Sequence, residues 1–355
     1  MSLFKIRRRP IELRLTHVFT ISRGSKPTVR NVFLELQSQN ITGNGEAAPN
    51  SRYNENAAGV MKALDRFPPG VLDHVSDPGD MSAAIGRWIG YNGGPFPHSA
   101  RAALEMAWLD WWAKKQQRAL WKIWEAPSMK GPVTSFTIGL DEPRVMQEKI
   151  REAREYPILK IKLGSGRDRE IMDAIREVTD KPVRVDANEG WQTLEEAKRA
   201  IEYLSDKNVQ MVEQPMPAGS HRQMEKLKEF SPIPLCADES FKGEEDLDRI
   251  AHSFEIINIK IMKIGSLVRA LEVIQKARRI GLKIMIGCMI ESSLANTAGA
   301  LLSLWADYAD LDGHLLIEDD PFDGLYLDGE KRIVLSNRNG LGARPRHDFF
   351  KDNPE

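Results

Sequence analysis

The chain is poor in cysteine, in net charge and in long apolar runs. Among its 355 residues only Cys236 and Cys288 are cysteines. Two thiols cannot staple a chain of this length, so a disulfide framework is excluded. Both are expected as small buried hydrophobes in a reducing compartment. Lys and Arg number 50 against 51 Asp and Glu, a formal net charge of −1. That balance excludes the strongly basic face of a general nucleic-acid binder, and a polybasic membrane anchor as a global property. No stretch approaches the roughly 20 apolar residues of a spanning helix. Residues Met1 to Pro10 are basic but hold no apolar core, so no signal peptide is expected and the cytoplasm is the default location. What is present is ordinary globular material, 41% hydrophobic and 28% charged. At roughly 150 residues per domain the length suggests about two domains.

Up to about residue 50 the chain alternates apolar and polar residues in short runs, as in Ile11-Glu12-Leu13-Arg14-Leu15 and Val32-Phe33-Leu34-Glu35-Leu36. Gly24, Gly43 and Gly45 punctuate them, which predicts antiparallel strands joined by turns. Helical spacing follows, clearest from Ser99 to Trp124, where Leu104, Ala107, Trp108, Trp111 and Trp112 share one face. That tryptophan stripe is read as core packing rather than a ligand wall.

From about Thr134 short apolar runs alternate with amphipathic stretches, the pattern of a parallel sheet with crossover helices. Eight runs are counted, at 135–139, 158–162, 183–186, 209–213, 235–238, 257–260, 283–287 and 309–312. Eight such units make an α/β fold of the TIM-barrel type. Lys162, Asp186, Glu213, Asp238, Lys260 and Asp312 each close a run, roughly one strand-helix unit apart. Barrel enzymes place their chemistry at that C-terminal strand end.

The third, fourth and fifth strands end in Asp186, Glu213 and Asp238, three carboxylates on one arc of the barrel mouth. They would repel one another without a cation. Oxygen ligands without histidine or thiol favour a hard ion, Mg²⁺ before Mn²⁺. Asn188, two residues past Asp186, can add a polar contact. Lys160 and Lys162, two apart on one strand, point the same way. Crowding and desolvation are expected to leave one of them a neutral amine able to act as a base. Lys260 ends the sixth strand, half a turn of the ring from Lys162, so a carbon between them can lose a proton to one side and regain it from the other. Lys263 is out of phase with Lys260 and is read as a loop or salt-bridge residue. Asp310 and Asp312 sit on the eighth strand, opposite the fourth, and favour an ammonium group. An anionic head on the cation and lysines and a cationic tail on Asp310 and Asp312 describe a small zwitterion such as a dipeptide.

Several stretches resemble the enolase superfamily: Leu159-Lys160-Ile161-Lys162-Leu163-Gly164, Val185-Asp186-Ala187-Asn188-Glu189-Gly190-Trp191, Val212-Glu213-Gln214-Pro215 and Ala237-Asp238-Glu239-Ser240. With Asn258-Ile259-Lys260-Ile261-Met262-Lys263 the resemblance is to its muconate-lactonising subgroup, and Asp310-Leu311-Asp312-Gly313 narrows it to dipeptide epimerases, the Ala-Glu epimerases being the familiar ones. The resemblance covers nearly the whole chain. It implies a (β/α)₇β barrel over residues 131–318 and an α+β capping domain over 1–130, to which a tail of 319–355 returns. It implies Lys162 and Lys260 as the acid/base pair, Lys160 as the stabiliser of an enediolate, and Asp186, Glu213 and Asp238 as Mg²⁺ ligands. Asp310 and Asp312 would bind the substrate ammonium, and Thr134 and Cys288-Met289-Ile290 match backbone-contact positions. Residues Phe19 to Ser25 resemble the family's mobile loop, with Arg23 where the arginine for a substrate side-chain carboxylate stands. His314 departs from the small apolar residue expected there, and Glu318-Asp319-Asp320 is read as a solvated turn. Homo-oligomers are common in the family. The rivals are o-succinylbenzoate synthase or muconate cycloisomerase within the superfamily, whose substrates carry no ammonium, and a non-catalytic metal-stabilised scaffold outside it.

Overall fold

The computed structural model describes residues 2–92, 94–348 and 350. Strands β1 (Lys5–Ile21), β2 (Gly24–Ser38) and β3 (Ile41–Ala47) form an antiparallel sheet. Residues Gln39 and Asn40 turn β2 into β3 with φ of 52° and 60°, the left-handed pair of a two-residue hairpin. The expected short runs are in fact one long ribbon. Strand β1 stays paired with β2 across a register shift between Arg14 and Phe19, and the ribbon ends in a tight turn where Ile21 faces Gly24.

Helices α1 (Ala57–Arg66), α2 (Pro78–Tyr91) and α3 (His98–Lys115) follow. Helix α3 lies flat on β3 because two glycines let the backbones touch. A β-carbon on Gly43 or Gly45 would stand 2.0 Å from the carbonyl oxygen of Ala107 or Ala103. Trp108 and Trp111 are buried, as the core reading of the stripe requires. The single helix expected from Ser99 to Trp124 is two. Gln117 turns left-handed and the Arg118 N–H closes on the Ala113 carbonyl at 3.1 Å, capping α3 before the short α4 (Leu120–Ile123).

After β4 (Lys130–Val133) come eight parallel strands: β5 (Phe136–Ile138), β6 (Leu159–Lys162), β7 (Val183–Asp186), β8 (Val209–Glu213), β9 (Leu235–Ala237), β10 (Ile256–Ile259), β11 (Lys283–Gly287) and β12 (Tyr308–Asp310). Each pairs with the next in sequence order. The ring nearly closes where Thr134, just before β5, bridges Ala309 of β12. Cys236 packs inside with Met211, Ile256 and Met285, the small hydrophobe expected. The tail strand Arg332–Val334 pairs with β4, Phe322 stacks on Phe33 of β2 at 5.7 Å, and the Leu341 N–H binds Asp110 of α3 at 2.9 Å. The tail therefore ties the sheet domain to the barrel. Among the described residues no helix is long and apolar enough to cross a membrane.

Candidate active site at the barrel mouth

Strand register builds the site. Because β6, β7 and β8 run parallel and in phase, Lys162 stands beside Asp186 and Asp186 beside Glu213. The Lys162 Nζ is 2.7 Å from Asp186 Oδ2. Lys160, one pleat deeper, is 3.1 Å from Asp186 Oδ2 and 2.7 Å from both Glu213 Oε2 and Asp310 Oδ2. On the far side Lys260 Nζ is 2.8 Å from Asp238 Oδ2, and Lys263 Nζ is 2.7 Å from Asp238 Oδ1. Lys263 is thus the salt-bridge residue anticipated, though fully buried on the one-turn helix Ile261–Ile264. All these groups are buried. Buried ion pairs seldom repay their desolvation, so so dense a set is a functional signature rather than a source of stability.

Electrostatics follow from the pairing. Burial alone would strip the proton from Lys160, but Asp310, Glu213 and Asp186 hold it well above the usual lysine range. The expected neutral amine is therefore not Lys160: it faces three carboxylates, not one ammonium neighbour. Lys260 is likewise held up, against burial, by Asp238 and Glu213. Burial would raise Asp186, yet Lys162 and Lys160 bring it down to about 2. Glu213 goes the other way, pushed up by burial and by Asp186.

Among the described residues no three acidic, histidine or cysteine side chains already stand spaced to hold an ion. Lysine side chains interleave with Asp186, Glu213 and Asp238 instead. The donor chemistry still fits a hard dication: three buried carboxylates, repulsion that raises Glu213, and oxygen atoms alone. Asn188 is held by its own N–H on Asp186 Oδ1 at 2.9 Å, while its side-chain oxygen is buried without a partner among the described residues.

A cavity of about 430 Å³ opens above these groups and is lined by Lys160, Lys162, Lys260, Asp238, Asp310 and Asp312. Asp312 Oδ2 accepts the Thr137 N–H at 2.6 Å, and burial with Asp310 nearby lifts its carboxyl to about 6. Cys288, Met289 and Ile290 line the cavity, so Cys288 is half-buried at its wall rather than the fully buried hydrophobe expected. Burial pushes the Cys288 thiol far up, which leaves it no nucleophile. Thr134 does not line it. Its hydroxyl accepts the Leu311 N–H at 2.9 Å at the barrel seam, and Thr137, on β5, lines the cavity instead. Glu318 and Asp319 face Arg14 at 3.6 and 3.3 Å, and Asp320 caps the helix Ser293–Ser303, so the acidic run is away from the cavity. His314 is half-buried, and desolvation lowers its pKa to about 4, which holds it neutral.

The hairpin tip reaches over the mouth. Arg23 is not a free arginine on a loose loop: its Nη2 is 2.7 Å from Glu239 Oε1, and its Nη1 is 3.2 Å from Glu189 Oε2 and donates to the Asn188 carbonyl at 2.9 Å. Arg52 makes a second, bidentate pair with Glu189 at 2.9 and 2.8 Å. Sequence reasoning assigned no role to Glu189, Glu239, Arg52 or Tyr53, all of which meet at this rim. Glu239 sat inside a quoted motif, directly after Asp238, and strand alternation could have separated the two; Arg52 and Tyr53 lie on a short turn with no periodic signal.

Comparisons with known proteins identify the family and the fold. The model of the family described as Enolase C-terminal domain-like matches residues 145–349. An L-Ala-D/L-Glu epimerase of Bacteroides thetaiotaomicron is 36% identical over 94% of this chain and 86% of its own. A substrate-liganded L-Ala-D/L-Glu epimerase from Bacillus subtilis superposes with a TM-score of 0.89 at 26% identity, over 97% of this chain and 99% of that one. A dipeptide epimerase from Enterococcus faecalis, complexed with Mg and L-Leu-L-Tyr, gives 0.87 at 28% identity, over 97% and 99%. The chain therefore belongs to the enolase C-terminal domain-like family, as an isomerase on its epimerase and racemase branch.

Proposed function

We propose that the protein is a Mg²⁺-dependent dipeptide epimerase that inverts the α-carbon of the C-terminal residue by two-base 1,1-proton transfer. The observation that carries this reading is the opposition of Lys162 and Lys260, four strands apart in an eight-stranded ring and both lining one cavity. Relatives named as dipeptide epimerases support it.

In the proposed reaction a neutral amine on one lysine takes the α-proton, breaking C–H and forming N–H. The ammonium of the other then delivers a proton to the opposite face, and the two lysines exchange states. The raised pKa of Lys260 suits it to begin as the acid. Lys160, held charged by its carboxylates, would offset the negative charge that develops on the substrate carboxylate. Asp186, Glu213 and Asp238 would hold Mg²⁺, which supplies positive charge beside that carboxylate when bound; Mn²⁺ suits the same donors. Asp310 and Asp312 would receive the substrate ammonium, and Cys288, Met289 and Ile290 would wall the peptide.

The test is to incubate the protein with Mg²⁺ and a dipeptide panel that includes L-Ala-L-Glu, and to follow the L,D product by NMR. Inversion at the C-terminal residue alone is the expected result. A panel left unchanged by folded protein, or turnover of an ammonium-free acid instead, refutes the reading.

A further inference from the structure

Resting on that epimerase reading, we infer that Glu239 is a specificity-determining residue. It commits Arg23 to the protein and so selects dipeptides with an apolar C-terminal side chain over acidic ones.

Arg23 reaches over the cavity from the hairpin tip, where a guanidinium would ordinarily be an anion receptor. Here its donors already face Glu239, Glu189 and the Asn188 carbonyl. With Arg52 also on Glu189, the two guanidinium groups of this rim are both engaged by protein carboxyl groups. A substrate carboxylate arriving there finds the Arg23 donors already taken.

It also meets a repulsive element. Glu239 is buried on the cavity wall, and its Oε2 has no hydrogen-bond partner among the described residues. An acceptor oxygen left without a donor on the wall has nothing to offer an incoming carboxylate, which is itself only an acceptor, and this is selection by exclusion. Lys26 also lines the rim, but it is exposed, and water screens a charge there. Phe19, Ile21, Val29, Met289, Ile290 and Leu316 supply an apolar stretch of the same wall, beside polar Asn31, Asn50 and Ser51. Such a stretch takes an apolar side chain without an unmet polar group.

The test compares kcat/KM for L-Ala-L-Leu and L-Ala-L-Glu in the wild type and in E239Q. The wild type should favour the leucine dipeptide. E239Q should shift the ratio toward the glutamate dipeptide by about tenfold or more, through KM for the acidic substrate. An unmoved ratio, an equal loss for both substrates, or a wild type that favours glutamate would each overturn the inference. If E239Q does not fold, R23M asks the same question in reverse. Equal effects on both dipeptides support a committed Arg23, and a selective loss of the acidic one contradicts it. Failure to invert either dipeptide would instead sink the epimerase reading itself.

Discussion

Lys162 and Lys260 each hold a carboxylate of their own side of the barrel, at 2.7 Å from Asp186 Oδ2 and 2.8 Å from Asp238 Oδ2. The two lysine side chains are anchored from opposite arcs of the ring and share one cavity. Anchoring removes rotamer freedom from two long side chains, which is what a site must do to aim both at one carbon. The same carboxylates are the proposed metal ligands, so charge balance, positioning and ion binding fall on one set of residues.

Asp312 gives a prediction on binding. If its carboxylate meets the substrate ammonium, D312N should raise KM for a free dipeptide by roughly ten- to a hundredfold, the worth of a charged hydrogen bond. The N-acetylated dipeptide, which has no ammonium, should respond little. Steady-state kinetics on the pair decides it, and equal effects on both would remove Asp312 from that role.

Gly45 gives a prediction on stability. An added β-carbon would stand 2.0 Å from the Ala103 carbonyl oxygen, so α3 must lift from β3. G45A should cost about 1–3 kcal/mol or more, as overpacking of a core contact does. Denaturant unfolding measures it, and G90A, where a β-carbon meets nothing within 4 Å, is the control expected to be near neutral or slightly stabilising.

A pH prediction follows from Glu291, buried behind the Cys288–Ile290 segment with its Oε1 on the Met289 N–H at 3.0 Å. Burial, then Glu46, push its carboxyl up to about 8. The folded state thus binds this proton more tightly than the unfolded chain, whose carboxyl titrates near 4.5. Glu291 therefore favours folding fully below about pH 4.5, and that contribution is lost as pH rises toward 8. E291Q keeps the acceptor oxygen and cannot ionise. It should match the wild type in melting temperature at pH 5 and exceed it by several degrees at pH 9; equal melting at both would show that Glu291 is not held neutral.

The barrel was legible because parallel strands buried on both faces leave continuous apolar runs, and a charge at each run's end stands out against them. Lys162, Asp186, Glu213, Asp238 and Lys260 could be read that way without coordinates. Thr134 could not, since whether it lines the mouth or seals the seam depends on how β12 closes on β5. The Arg23 network was hidden for a similar reason. Its partner Glu189 lies on another domain, 166 residues along the chain, and spacing carries no record of such a contact. The end of α3 was missed because a left-handed Gln117, unlike a glycine, gives no warning.

The central claim, proton transfer at one carbon from two sides, is tested most directly by hydrogen exchange in D₂O with single-lysine variants. K162A and K260A would each be given Mg²⁺ and the L,L and L,D forms of a dipeptide turned over by the wild type, and α-deuterium followed by mass spectrometry. Each variant should fail to interconvert the two forms. One should exchange the α-hydrogen of the L,L form alone, and the other that of the L,D form alone. If either variant still epimerises, or both lose or retain exchange with the same enantiomer, the two lysines do not serve opposite faces and the two-base account is wrong.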